Sequence, residues 1–137
     1  MERGVKMRKV LLGKLGLDAH WRGAAVVAKY LMDKGYEVIY VGNQTPEQMV
    51  ESAIQEDPSL IGVSMLSGSH ILLMSKFMQL LQDKEMKDIP VVLGGTIPKQ
   101  DKAKLQELGV ACVYTPGDSL DTLGDFISGI SVNTVNI

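Results

Sequence analysis

The sequence predicts a doubly wound α/β domain on a five-stranded parallel sheet, and three observations predict it. Short apolar runs alternate five times with longer helix-patterned segments over about 120 residues. One run, Leu60-Ile61-Gly62-Val63-Ser64, is almost unbroken in apolar residues, as a central parallel strand buried on both faces must be. Glycine or proline punctuates the ends of the helical segments, at Gly35, Pro58 and Gly109. The expected strand order is 2-1-3-4-5, the flavodoxin-type arrangement, with a ligand crevice between the first and third strands.

The elements follow in order. Val10-Leu11-Leu12 forms the first strand, and a helix runs from about Arg22 to Lys34. Glu37-Val38-Ile39-Tyr40-Val41 is the second strand. Thr45-Pro46-Glu47-Gln48 opens the second helix: Thr45 caps, Pro46 suits the first helical position, and Gln48 completes a capping box. Leu60 to Ser64 is the third strand, and the third helix extends from near His70 to Lys84. Pro90-Val91-Val92-Leu93 is the fourth strand, ending in Gly94-Gly95, and a helix runs from near Pro98 to Gly109. Ala111-Cys112-Val113-Tyr114 is the fifth strand, and Thr115-Pro116-Gly117-Asp118 turns into a last helix of about 119–130. The tail from Ser131 to Ile137 has no pattern. No linker or repeat divides the chain, so residues 1–137 are expected to form a single domain with a core of about 7–130.

Composition bounds the function. A length of 137 residues with 45% hydrophobic and 22% charged residues supports one sizeable core. A net charge of −2 without a basic face argues against a nucleic-acid partner. The single cysteine, Cys112, excludes an internal disulfide framework, suits a cytoplasmic location and reads as a small buried hydrophobe. The N-terminus lacks the apolar region and cleavage site of a signal peptide, and no apolar run approaches the ~18 residues of a membrane span.

The connection after the first strand, Lys14-Leu15-Gly16-Leu17-Asp18-Ala19-His20-Trp21-Arg22-Gly23, stands out. About nine residues separate strand from helix, where about 2–6 are usual. Asp18 and His20 sit two apart, with Lys14 four before the Asp. A carboxylate beside an imidazole accepts one ring N–H and aims the other nitrogen at a partner, often a metal. In the expected strand order the same sheet edge gathers Ser64-Met65-Leu66-Ser67-Gly68, Gly94-Gly95 and Tyr114-Thr115-Pro116-Gly117. Small residues there permit close backbone approach, and Ser64, Ser67 and Thr115 offer hydroxyls. The edge reads as a deep slot; it carries neither GxGxxG nor GKS/T, which argues against a dinucleotide or P-loop phosphate site. Taken singly, each feature has a structural reading: Gly94-Gly95 a turn, Ser64 a helix-entry hydroxyl, His70 a cap or packing group of the third helix, Trp21 a loop anchor, and Met65, Met74, Met78 and Met86 core packing. Their placement on one edge is what points to a ligand.

Jointly, Asp18-Ala19-His20-Trp21-Arg22-Gly23, Ser64-Met65-Leu66 and Gly94-Gly95 resemble the DxHxxG…SxL…GG signature of cobalamin-binding domains over roughly residues 7–130. Lys14-Leu15-Gly16-Leu17-Asp18, Gln44-Thr45-Pro46-Glu47, Gly94-Gly95-Thr96-Ile97-Pro98 and Tyr114-Thr115-Pro116-Gly117 look more narrowly like the C-terminal domain of methylmalonyl-CoA mutase-type enzymes. The resemblance implies that His20 displaces the nucleotide base and becomes the lower axial ligand of cobalt. It implies that Asp18 hydrogen-bonds that imidazole, that Lys14 pairs with Asp18, and that these three form the catalytic set. The nucleotide tail is expected in a slot lined by Gly23, Ser64, Leu66, Gly94, Gly95 and the turn Tyr114, Thr115, Pro116 and Gly117, with Arg22 and Gly68 as further cofactor-binding residues. Ala19 and Trp21 stand where the family more often has Gly and Asp; neither position supplies a ligating atom.

At 137 residues the chain is too short for a substrate barrel, which takes roughly 250. The resemblance therefore implies a small subunit that carries adenosylcobalamin and docks on a large, acyl-CoA-binding mutase subunit. A corrinoid carrier for methyl transfer is the competing reading, but such carriers usually have a helical bundle before the domain. A cobalamin-binding regulator is another. A phosphorylatable switch with the same sheet needs an acidic acceptor at the end of the third strand, where this chain has Ser64.

Overall fold

A computed structural model describes residues 9–15, 22–65, 70–86, 88–95, 97–114, 121 and 124–125. The elements in chain order are β1 (Lys9–Leu15), α1 (Arg22–Asp33), β2 (Glu37–Gln44), α2 (Pro46–Glu56), β3 (Leu60–Ser64), α3 (His70–Asp83), β4 (Val91–Gly94), α4 (Lys102–Glu107) and β5 (Cys112–Tyr114). A short 3-10 turn, Lys99–Asp101, leads into α4. The five strands form one sheet in the order β2-β1-β3-β4-β5, and all four pairings are parallel. The expected last helix of 119–130 falls mostly outside the described residues, but Asp121, Gly124 and Asp125 are helical. Among the described residues no helix is long and apolar enough to cross a membrane.

Strand alternation divides the core into two layers. Leu11, Leu15, Ile61, Val63, Val91, Leu93 and Val113 face α2, α3 and α4, and pack with Met49, Val50, Ala53, Met74, Phe77, Leu81 and Leu105. Val10, Leu60 and Val92 face the other way, onto Leu31, Val27 and Tyr30 of α1. Burial of each such large apolar side chain contributes roughly 1.5–3 kcal/mol. β3 is buried over Leu60–Val63 on both faces, as its unbroken apolar run requires. Met65 and Met74 are core residues, with Met78 and Met86 packed against them. Cys112, by contrast, is half-buried: it lies on β5, the short strand at the edge of the sheet, and packs against the α1-side core.

Local signals set the helix ends. The Thr45 hydroxyl accepts from the Gln48 N–H at 3.1 Å, and the Thr45 N–H donates to Gln48 Oε1 at 3.0 Å, closing the capping box around Pro46. Asp57, with φ of 49°, ends α2 just before Pro58. Gly35, with φ of +95°, ends α1 in the left-handed conformation that favours glycine.

Candidate functional site

The sheet edge expected to hold a ligand is built by one lateral row of residues. Lys14 pairs with Ser64, Ser64 with Gly94, and Gly94 with Tyr114, so that one row crosses β1, β3, β4 and β5. Laterally paired residues of parallel strands project to the same face. That face is the α1 side, because Val10, two positions along β1 in each step from Leu12 and Lys14, packs there. Each row member is at the carboxyl end of its strand or one residue short of it. The edge is thus the one at which open parallel sheets hold ligands.

Lys14 departs from the expectation that placed it in a loop. β1 continues through Gly13, Lys14 and Leu15, which pair with Gly42, Asn43 and Gln44 of β2, while Gly13 and Lys14 also pair with Val63 and Ser64 of β3. Backbone pairing on both flanks extends the strand past the point where the apolar run stops. The connection to α1 therefore shrinks to residues 16–21. Lys14 is only 1% exposed, the one buried charged residue among those described. Burying an ammonium is costly unless polar or anionic groups meet it, so a lysine here demands such company. Ser64, half-buried, flanks it on β3.

The glycine pair is more than a turn. Gly94 ends β4, and a β-carbon there would make ordinary contact, 3.6 Å from the Tyr114 carbonyl oxygen. Gly95 has φ of +135°, and a β-carbon on it would run into the Met65 carbonyl oxygen. The strand ends are stitched together here: the Met65 N–H donates to the Gly94 carbonyl at 3.1 Å, and the Gly95 N–H to the Tyr114 carbonyl at 3.2 Å. The result is a surface of backbone and small side chains at β3 and β4, flanked by half-buried Tyr114 and buried Lys14. A flat, bulky group can lie against such a surface.

Arg22 and Gly23 open α1, whose N-terminus follows the end of β1. Asp18, His20, Leu66, Gly68, Thr115, Pro116 and Gly117 lie outside the described residues, as does Trp21. The structure thus brings Lys14, Ser64, Gly94 and Tyr114 into one row with Gly95 beside it. Reading the sequence alone missed one neighbour: Asn43, which pairs with Lys14 from the β2 side.

The sequence profile of the B12-binding domain family matches residues 8–122. The chain belongs to this family.

Relatives within it are of two lengths. The chain is 47% identical over 103 residues to a 2-hydroxyisobutanoyl-CoA mutase small subunit from Aquincola tertiaricarbonis, covering 74% of this chain and 76% of that one. It is 36% identical over 128 residues to a pivalyl-CoA mutase small subunit from Xanthobacter autotrophicus, covering 93% and 86%. It is also 39% identical over 125 residues to the methylmalonyl-CoA mutase of Escherichia coli, covering 90% of this chain but only 18% of that one. Among solved structures, a cobalamin-binding protein from Desulfitobacterium hafniense shares the fold with a TM-score of 0.71 at 20% identity, over 79% of this chain and 53% of that one. A response-regulator receiver domain from Francisella shares it too, with a TM-score of 0.70 at 15% identity, over 93% and 98%. Fold likeness alone therefore does not separate vitamin carrier from phosphorylated switch; the family match does. The residue at the end of β3 agrees, being Ser64 instead of an acidic acceptor.

The described residues of this B12-binding domain fit a corrinoid. Gly94 and Gly95 leave the end of β4 without side chains, and Ser64 supplies a hydroxyl beside them. Lys14 brings a buried cation to the strand that leads into the Asp18–His20 segment. Imidazole nitrogen is a good donor for a transition metal, and a carboxylate on its far nitrogen raises that donor strength.

Proposed function

We propose that this chain is the adenosylcobalamin-binding small subunit of a two-subunit acyl-CoA mutase, acting as a single cytoplasmic domain with a large subunit that holds the acyl-CoA in a barrel. The observation that carries this reading is the row Lys14–Ser64–Gly94–Tyr114, on one face at the ligand edge of the sheet. Similarity to mutase small subunits over most of their length supports the partner.

The roles follow from the chemistry of each residue. Lys14 keeps the Asp18 carboxylate ionised by opposite charge. Asp18 accepts the ring N–H of His20, which fixes the tautomer and turns the other nitrogen toward cobalt. Ser64 offers a hydroxyl to the nucleotide tail. Arg22, Gly23, Leu66, Gly68, Gly94, Gly95, Tyr114, Thr115, Pro116 and Gly117 line the slot that encloses the tail. Bound adenosylcobalamin supplies a cobalt–carbon bond whose homolysis starts radical carbon-skeleton isomerisation. The protein's part is to bind, orient and tune that group.

Mixing the purified chain with hydroxocobalamin tests the site. The expected product has the spectrum of a corrinoid with its own base displaced and a protein imidazole in its place. His20→Ala removes the axial nitrogen signal; a variant that keeps it overturns the ligation role. Recovery of the native complex from its host, followed by acyl-CoA isomerase and methyl-transfer assays, tests the activity. Turnover of a methyl donor in place of an acyl-CoA overturns the mutase reading.

A further inference from the structure

β2 is an edge strand, and its pairing with β1 contains one irregularity. From Lys9↔Glu37 to Leu12↔Tyr40 the two strands run in step; the next pair is Gly13↔Gly42, so Val41 is an extra residue. Without the slip Lys14 would lie opposite Gly42. With it, Lys14 lies opposite Asn43. Lateral partners share a face, so the bulge exchanges a residue with no side chain for a carboxamide on the row that continues into Ser64, Gly94 and Tyr114.

The bulge is a built feature. Gly42 adopts φ of +73°, a conformation that favours glycine. The Gln44 side chain is devoted to holding the turn: its Nε2 donates to the Val41 carbonyl at 3.0 Å and to the Asn43 carbonyl at 3.1 Å. The Ser52 hydroxyl of α2 donates to Gln44 Oε1 at 3.5 Å. These bonds engage the backbone carbonyl of Asn43, and none of them uses its side-chain amide. Bulges at sheet edges beside functional sites commonly re-aim a side chain. Here the re-aimed side chain is exposed, while its neighbour Lys14 is buried. Asn43 therefore stands at the open end of the row, one strand spacing of about 4.7–4.9 Å from β1.

We propose that Asn43 is a further corrinoid-contacting residue, set beside Lys14 by the β2 bulge to hydrogen-bond the amide-bearing rim of the bound ring. The inference rests on the cobalamin reading of the site. A primary carboxamide donates and accepts at once, and the periphery of a cobalamin corrin carries primary carboxamides. The two are mutually complementary. Asn43 is therefore a contact to the ring itself, distinct from the slot residues that receive the nucleotide tail.

The test is a spectroscopic titration of the full chain with hydroxocobalamin and, separately, with diaquacobinamide, which keeps the corrin rim but lacks the nucleotide. Asn43→Ala is expected to bind both about three- to tenfold more weakly, the loss of one or two neutral hydrogen bonds. Its thermal midpoint should stay unchanged, because the side chain is exposed and outside the bulge bonds. Asn43→Gln should regain part of the affinity. Wild-type affinity in Asn43→Ala overturns the inference, as does a loss seen with hydroxocobalamin but absent with the cobinamide. Failure of the cobalamin reading shows differently: the wild-type chain itself gives no binding curve, which overturns both.

Discussion

The α-carbon of Gly95 lies so close to the carbonyl oxygen of Met65 that a β-carbon on Gly95 would overlap that oxygen. The contact joins the end of β4 to the residue just past β3, and backbone cannot retreat as a flexible side chain can. Gly95 also has φ of +135°, which disfavours any L side chain. Gly95→Ala is therefore expected to destabilise the fold by about 2–4 kcal/mol. Gly94→Ala is the informative partner. A β-carbon there meets only ordinary contacts, the nearest at 3.6 Å, so the folding midpoint in urea should move little. Yet its methyl projects onto the face shared by Lys14 and Ser64, so hydroxocobalamin binding should weaken. Urea melts and spectroscopic titrations on the two variants check the separation of folding from binding.

Lys14 carries a second separation of roles. Lys14→Ala leaves a cavity on a central strand and is expected to cost about 2–5 kcal/mol, in the range of other large-to-small core changes. Lys14→Met keeps most of the volume and removes the charge. Removing one member of a buried pair leaves the other uncompensated, so this variant is expected to melt below the wild type from lost charge, without the cavity that Lys14→Ala leaves. Under the proposed roles its axial imidazole should be weakened as well, because Asp18 loses its cation. A Lys14→Met chain that melts normally and shows an undisturbed axial nitrogen signal would remove Lys14 from the site.

Much of this was legible in the sequence, and the exceptions share a cause. The capping box at Thr45–Gln48 is local and was readable in full. The strand order followed from five alternating segments, and the burial of β3 from its unbroken apolar run. The end of β1 was not readable, because Gly13 and Lys14 break the apolar pattern and only pairing with two distant strands keeps them in the sheet. The bulge at Val41 was invisible for the same reason. It is a relation of register between β1 and β2, and only Gly42 hints at it. The sequence presents the site residues as separate loops, whereas their common row depends on pairings among strands far apart in sequence. Cys112 is less buried than its chemistry suggests, because it sits on the edge strand β5.

Thr45 offers a stability test remote from the row. Its hydroxyl meets the Gln48 N–H, and its own N–H meets the Gln48 side chain. Thr45→Ala removes the first of these bonds and is expected to cost about 1 kcal/mol. Gln48→Ala removes the second. Each residue is one end of the same reciprocal pair, so the double variant should cost less than the two single changes added together. Strict additivity in urea denaturation would argue against the reciprocal box.

The ion pair between α2 and α3 predicts a pH dependence. Lys76 Nζ lies 2.7 Å from Glu47 Oε2, and both side chains are 55% exposed. The hydrogen bond from Lys76 holds the Glu47 carboxyl below its ordinary value of 4.5, helped by the backbone N–H of Glu47 itself. A carboxyl whose folded value is depressed favours the folded state above its unfolded value. That contribution is lost as the pH falls through the lower, folded value. Coupling between Glu47→Gln and Lys76→Met in a double-mutant cycle should therefore be measurable at pH 7 in low salt and should vanish on acidification well below 4.5. It should also fade at about 1 M salt, where the screening length is about 3 Å. Because the pair is exposed, its loss should leave the fold intact and move only this coupling. Thermal melts at both pH values and both salt concentrations check it, and a coupling indifferent to pH would mean that the carboxylate charge contributes nothing to holding the two helices together.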